Sequence, residues 1–372
     1  MTLTDSDRRR EAPTFRLEPG AYLDPGFLAR EQDQVFAHSW SLVADAAELA
    51  AVGDTVPVMI GKCPIVVTRT EHGLRAHHNI CRHRGMQVVL DPGRCTGLRC
   101  AYHGWEWDLD GALARVPQRR AQFPDLVDAE LGLLPASVEE WEGMVFVHPD
   151  PDPLPLAEAL GVVREGIGSF QPGRLTQVAH VALTARCNWK LFVENHIDVY
   201  HLWYLHDRSL ADYDHTRFEH HGAHGNWTSY EPIKAVRVGK VPPLAGALAI
   251  SHIDDRDRNG IGAHMVFPNI LMASTVDFFI TYQITPITPA ESRVDLRVRA
   301  EPGSDATALV DAARSFIDED ILACERIQVA MASDRFAVGP LALDHERPIE
   351  EFQRHLLGRL GESLADAADG PA

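Results

Sequence analysis

No stretch of the 372 residues approaches the eighteen or more consecutive apolar side chains that a membrane span needs. Residues 1–10 hold three consecutive arginines with no apolar run behind them, so neither signal peptide nor anchor is expected. Positive charge is in short supply: 35 Lys and Arg stand against 53 Asp and Glu, a formal −18 with histidines neutral. A chain so acidic repels phosphate backbones and anionic bilayers alike, which excludes nucleic acid and membrane as expected partners. A cytoplasmic setting is expected from the missing apolar runs, and six cysteines in so long a chain are too few for a disulfide framework, so any thiols at ligand spacing point to metal. The G-x-G-x-x-G fingerprint with its strand and acidic residue is missing, so reduced nicotinamide is not expected to bind directly.

What is present is an ordinary globular composition, 45% hydrophobic and 24% charged, at a length that suggests two domains. Pro25 to Trp40 carries Phe27, Leu28, Val35, Phe36 and Trp40 at helical spacing behind a first-turn proline. Short β-rich runs follow at Asp54–Ile60, Ile65–Thr70, Leu74–Asn79 and Met144–His148, which predicts a small antiparallel domain. Four prolines within Pro149–Pro155 mark a stiff boundary. Beyond it, Leu175–Ala185 and Arg293–Arg299 read as strands, the second with Val294, Leu296 and Val298 on one face. Asn188 onward and Ala306–Ala332 have helical period, and Glu346–Leu364 reads as a last amphipathic helix before a small, polar end expected to fray. The expected division is an N-terminal segment 1–39 packed on the second domain, a β domain 40–150, and a second domain 151–372.

The chemistry concentrates in two places. Cys81-Arg-His83 is followed after sixteen residues by Cys100-Ala-Tyr-His103. A structural zinc with two thiolates and two imidazoles is one reading; a two-iron two-sulfur cluster, cysteines on one iron and histidines on the other, is the second. Zinc fingers pair Cys with Cys and His with His in separate halves, whereas each claw here carries one of each, which favours the cluster. Cys63, Cys95 and Cys187 stand alone and read as buried hydrophobes. His77 and His78 read as strand surface, and Trp105 and Trp107 as packing around the claws.

The second place is Asn188–His206, NWKLFVENHIDVYHLWYLH. On a helix, Glu194, Asp198 and His201 share a face, and Asp198 can reach the outer nitrogen of His201. His206 comes five residues after His201, about 140° away on a regular helix, so the two can converge only if the helix ends, tightens or bulges. A break is expected near Leu202–Leu205. Further on, Leu309, Ala313, Phe316, Ile317, Cys324, Ile327 and Met331 form an apolar stripe with Asp320 in its middle, while Asp318 and Glu325 fall on the polar side. A carboxylate on a buried face costs several kcal/mol unless a partner or a metal offsets it. His201, His206 and Asp320 would make the two-histidine, one-carboxylate face of a ferrous site. An arginine partner for Asp320 is the alternative, and Asp318 or Glu319 stay open as the third ligand.

The claw spacing, with Gly85 after CRHR and YHGWEWDLDG running on from Cys100, resembles the Rieske non-heme iron oxygenases, as do ENHIDVYHLWYLH and FIDEDILACERIQ further on. The resemblance spans both domains in the family's order. It implies the alpha, catalytic subunit: an α+β chain with an N-terminal antiparallel β Rieske domain and a C-terminal helix-grip domain whose curved antiparallel sheet wraps a helix. It implies one Rieske 2Fe-2S cluster on Cys81, His83, Cys100 and His103. It implies one mononuclear ferrous iron on His201, His206 and Asp320, with Asn195 and Asp198 completing the catalytic set. Dioxygen and a small organic substrate would react there, with electrons from NAD(P)H arriving only through a separate reductase or ferredoxin. Asp198 would bridge to His103 of a neighbouring subunit, which implies a homotrimer. His196 departs from the aromatic residue common at its position. From His77 to Arg120 seven arginines face four acids, a local +3 that an acidic redox partner would seek.

EDILACERIQ looks closest to the branch that oxidises quaternary amines, by hydroxylation or demethylation; hydroxylation or cis-dihydroxylation of a small aromatic ring is the alternative. Rivals of other classes are a Rieske electron carrier and a zinc-stabilised binding protein. His215, His220, His221 and His224 are expected as mobile surface near the pocket mouth.

Overall fold

A computed structural model describes residues 12–241 and 244–362. The arginine-rich start at 1–10 and the small polar end at 365–372 lie outside the described residues. The chain forms two compact units, Glu31–Ala159 and Met1–Arg30 with Leu160–Ala372. These seams lie about nine residues from positions 39/40 and 150/151. The proline-rich segment belongs with the first unit because Trp40 Nε1 donates to Leu154 O at 2.9 Å and Leu156 N to Glu139 Oε1 at 3.0 Å.

Helix α1, Pro25–Gln34, opens on its proline as the spacing predicts, and a short 3₁₀ turn at Phe36–His38 follows it. The first unit is then all antiparallel. Its strands are β1 Ser41–Asp45, β2 Asp54–Ile60, β3 Cys63–Thr70, β4 Gly73–His78, β5 Gly93–Arg94, β6 Leu98–Arg99, β7 Glu106–Trp107, β8 Leu113–Arg115, β9 Pro135–Trp141 and β10 Met144–His148. Seven of them run in the order β1-β10-β9-β4-β3-β2-β5 over Val56, Ile65, Val67, Val145 and Val147. The three-stranded sheet β6-β7-β8 has a separate core of Cys81, Leu98, Cys100, Trp105, Trp107 and Leu133. Both tryptophans pack by the claws, although only Trp107 lies in a strand.

The second unit holds β11 Thr176–Ala185, β12 Glu219–Ala223, β13 Asn226–Pro232, β14 Gly260–Val266, β15 Ile270–Ser274, β16 Phe279–Thr288 and β17 Glu291–Ala300. They form one antiparallel sheet, β11-β17-β16-β15-β14-β13-β12. Val294, Leu296 and Val298 are fully buried, as their alternation requires. Helices α2 Trp189–Ile197, α3 Ala306–Met331 and α4 Arg347–Arg359 belong to this unit, and α2 lies against β14, β16, α3 and α4. A curled antiparallel sheet holding a helix is the helix-grip arrangement, and with the β domain it makes the chain α+β.

Three expectations need correction here. In α3, Ile327 is 43% exposed and Gln328 takes its place on the inner face, where its Oε1 accepts Asn188 N at 2.8 Å. Cys187 is not alone, since its thiol meets that of Cys324 in the core. Glu194 is a core residue instead of a site residue: it accepts from Tyr22 Oη at 2.6 Å and Gln353 Nε2 at 2.8 Å.

Candidate metal centres

In the first unit, Cys81 and Cys100 head two turns of one design. Cys81 N donates to Met86 O and Gly85 N to Cys81 O; Cys100 N donates to Trp105 O and Gly104 N to Cys100 O, all at 2.8 to 3.0 Å. Gly85 and Gly104 take φ of +76° and +70°, which a side chain would strain. The turns bring the His83 and His103 rings to 4.6 Å, and His83 stacks on Trp105 at 5.1 Å with 4° between planes. Both cysteines are buried and unbridged. Burial pushes the Cys81 pKa up, the amides of His83 and Arg84 pull it down, and the Cys100 thiol adds to the rise. His83 Nδ1 is buried without a partner.

Buried thiols and an orphaned imidazole nitrogen are groups that a metal would satisfy. Among the described residues, no three of these four donors gather within 4.8 Å of one another, as ligands of one tetrahedral zinc at bonds of about 2 Å would. The residues present therefore fit a two-iron cluster, which spreads its ligands over two metals. His77 is not strand surface: it is buried, and Gly111 lies so close that a Cβ there would fall 2.3 Å from His77 Nε2.

In the second unit, α2 opens on Asn188, whose side chain accepts from Lys190 N, and ends at Ile197. The break thus precedes the expected Leu202–Leu205. Asp198 is extended at ψ 119°, and its Oδ1 accepts Tyr200 N at 2.5 Å. A 3₁₀ turn over Tyr200–Trp203 follows, with both Tyr204 N and Leu205 N donating to His201 O. Unwinding removes the 140° offset. His201 Nε2 and His206 Nε2 lie 3.5 and 3.0 Å from Asp320 Oδ1, and the three residues offer donor atoms within 4.8 Å of one another.

Each histidine is backed by a second carboxylate. His201 Nδ1 is 3.3 Å from Asp198 Oδ2, out of line for a good hydrogen bond, and His206 Nδ1 is 2.7 Å from Glu319 Oε2. Ser209 Oγ donates to the same Glu319 oxygen at 2.8 Å. Burial would lower the His201 pKa, yet Asp198 and Asp320 outweigh it and raise it to about 10; Asp320 and Glu319 likewise raise His206 against burial. This balance is the signature of a site short of positive charge, and a divalent ion fits it. Asp318 is excluded as a ligand because it points outward to Arg314 at 3.0 Å, and no arginine pairs with Asp320 among the described residues. Asn195 lies on α2 with Oδ1 buried and unpartnered.

Above the three donors is a hollow of about 60 Å³ walled by His196, Trp227, Ser229, Glu231, Tyr282 and Phe316. His196 is no ligand: its Nε2 donates to His264 O at 3.0 Å, its Nδ1 accepts Tyr282 Oη at 2.7 Å, and burial pushes its pKa down to about 4. His215, expected as mobile surface, is buried and hydrogen-bonded to Glu231. His220 and His221 are exposed on β12. Sequence reasoning missed Glu231; alternation along β13 would have put it on a face but could not say which face holds the site.

Two family descriptions match the chain: Rieske [2Fe-2S] domain over residues 39–135, and Ring hydroxylating alpha subunit (catalytic domain) over residues 172–362. The chain belongs to the family of ring hydroxylating alpha subunits. It is 32% identical over 200 residues to the glycine betaine monooxygenase oxygenase subunit of Chromohalobacter salexigens, 52% of this chain and 44% of that one. To the biphenyl 2,3-dioxygenase subunit alpha of Rhodococcus jostii it is 32% identical over 195 residues, 50% and 42% of the two chains. The matched stretch therefore spans under half of these relatives. The quaternary ammonium Rieske monooxygenase CntA, solved with L-carnitine, shares the fold with a TM-score of 0.78 at 21% identity, over 97% of this chain and 99% of that one.

Proposed function

We propose that this chain is the oxygenase component of a Rieske-type system, which uses dioxygen and externally supplied electrons to hydroxylate or demethylate a small organic substrate. The observation that carries this reading is the convergence of His201 Nε2, His206 Nε2 and Asp320 Oδ1 in a chain that also carries the paired Cys/His turns. Cys81, Cys100, His83 and His103 would hold the cluster, and His201, His206 and Asp320 the ferrous iron. When bound, the cluster supplies single electrons and the iron supplies open positions for dioxygen and substrate. Glu319 holds the outer nitrogen of His206 and so fixes which nitrogen faces inward, and Asp198 places its charge beside the outer nitrogen of His201. Burial keeps His196 neutral, and Tyr282 and His264 O fix it by hydrogen bonds as a wall of the hollow. Asn195 is assigned to the catalytic set on its place in ENHIDVYH.

Relatives divide between quaternary amines and aromatic rings, as the glycine betaine monooxygenase and biphenyl dioxygenase subunits are named. The substrate of this chain is a quaternary amine, with ring hydroxylation of a small aromatic the second reading. Electrons come from a separate reductase or ferredoxin. The chain works in the cytoplasm as a homotrimer, in which Asp198 meets His103 of the next subunit. Inter-subunit electron transfer is named for CntA, and the exposed position of His103 here supports the same route. Among the described residues no helix is long and apolar enough to cross a membrane.

Metal and sulfide analysis of the aerobically purified protein tests the reading. About three irons and two sulfides per chain, with the low-field spin signal of a reduced Rieske centre, are expected. Two irons would make it a carrier, and zinc alone would remove both.

A further inference from the structure

Beside the inner hollow lies a cavity of about 400 Å³, and the two share Leu210, Ile261, Ala273 and Phe316 as walls. The larger one is amphipathic: Ile233, Leu244 and Phe278 line it together with Tyr213, Asp277 and Arg258. Asp277 stands out chemically. Its side chain is 5% exposed, its Oδ1 is buried with no hydrogen-bond partner, and its Oδ2 accepts one long bond, from Leu244 N at 3.3 Å. No Lys, Arg or His nitrogen of the described residues comes within ion-pair distance of it. The cation that lines the same cavity is already engaged, since Arg258 donates to Ile250 O and Ile253 O at 3.4 and 3.1 Å. Asp212, also on the wall, is paired with Arg237 at 2.6 Å. Asp277 is thus a wall carboxylate that no cation of the described residues pairs with, and burial, the main influence on it, raises its pKa. A carboxylate buried in this way is held in its charged form by a cation placed beside it and otherwise favours the neutral acid.

We propose that this outer cavity is a subsite for a positively charged nitrogen, with Asp277 as its counter-charge, so that a substrate hydroxylated at a carbon away from that nitrogen lies with its charged end there and the reacting carbon toward His201, His206 and Asp320. The proposal rests on the oxygenase reading of the inner site and deepens it. Tyr213, Phe278 and Phe316 supply aromatic rings along the walls, surfaces that attract an ammonium group. Burial first, and then the nearby Asp277, Asp212 and Glu231 acting together, raise the pKa of Tyr213 itself.

Calorimetric titration of the iron-loaded protein with choline, and with its uncharged carbon isostere 3,3-dimethylbutan-1-ol, separates charge from shape. The wild type should bind choline at least about tenfold more tightly than the alcohol, about 1.4 kcal/mol. Asp277→Asn should abolish that preference by weakening choline alone, and Asp277→Glu should keep most of it. Iron content and the Rieske spectrum are measured on each sample. Their absence from the wild type would sink the oxygenase reading, while the binding comparison still judges the subsite. Equal or tighter binding of the alcohol by the wild type, a preference that survives Asp277→Asn, or no choline binding at tens of millimolar would each overturn the proposal.

Discussion

Asp320 sits on a helix face where Ile317 and Cys324 are buried, and among the described residues its Oδ1 is the one carboxylate oxygen that faces both inner histidine nitrogens. Asp320→Ala should therefore remove the mononuclear iron and all turnover and leave the Rieske spectrum intact. Asp318→Ala should keep both, because that side chain meets only Arg314 and solvent. Glu319→Gln tests the clamp behind His206: iron should still bind, with affinity lower by about 10- to 100-fold. Iron analysis after dialysis against a chelator distinguishes the three. Loss of iron in Asp318→Ala, or its retention in Asp320→Ala, would mean that the wrong carboxylate has been assigned.

A second residue-scale prediction concerns His264, fully buried beside Thr228 Oγ1 at 2.7 Å. Burial first, then the neighbouring His196, pushes its pKa down to about 3. The unfolded chain, with an ordinary value near 6.5, takes up that proton first as pH falls. Stability is thus fully present above about pH 6.5 and declines toward pH 3, by about 2 kcal/mol at pH 5 from this histidine alone. His196, pushed down to about 4, adds in the same direction. Denaturant unfolding between pH 7 and 5 measures the slope; His264→Gln should flatten it, and an equally steep variant would locate the effect elsewhere.

Among the elements, the strands and long helices were legible because burial imposes a period that the sequence displays openly. Asp54–Ile60 and Met144–His148 are strands with the bounds their β-rich runs give, and Ala306–Met331 is one helix, capped by Asp305 accepting from Thr307 N and Ala308 N. The end of α2 was not legible. Periodicity runs on through Val199 and Trp203, and what stops the helix is tertiary: Val199 N donates to His345 O at 3.1 Å, a partner 146 residues away in sequence. The burial of His77 and His215 was hidden for the same reason, since Gly111 and Glu231 come from other segments. Gly111 offers a test at this scale. It combines φ +88° with a Cβ position occupied by His77, whereas Gly73 has φ +111° and open space. Gly73→Ala should carry only backbone strain, about 1 kcal/mol, and Gly111→Ala should lose several and bleach the cluster absorption. Thermal melts followed at the cluster band check this, and equal losses would mean that the contact with His77 is unimportant.

For the whole molecule, the proposed trimer turns on Asp198. Its carboxylate is mostly buried, with Oδ2 3.3 Å from His201 Nδ1 and Oδ1 bound to Tyr200 N, so its position is set by the end of α2 and not by a helical face. One carboxylate that touches an iron ligand of its own subunit and meets His103 of the next would be the polar bridge between a cluster and an iron held by different chains. His103 and its neighbour Tyr102 are exposed, which leaves that ligand reachable from outside its own unit. Asp198→Asn keeps the shape and removes the charge. Both metal sites should stay occupied while reoxidation of the reduced cluster, on rapid mixing with dioxygen and substrate, slows by orders of magnitude. The chain's charge bears on the other end of the same route: within a total of −18, His77–Arg120 carries +3, and Arg84 and Arg120 are exposed there. Electron delivery by an acidic donor should therefore weaken with salt, while the internal step that Asp198 governs should not. Wild-type reoxidation in Asp198→Asn would remove this residue from the route. A monomer by light scattering would remove the inter-subunit path itself, because no second chain would then present His103 to it.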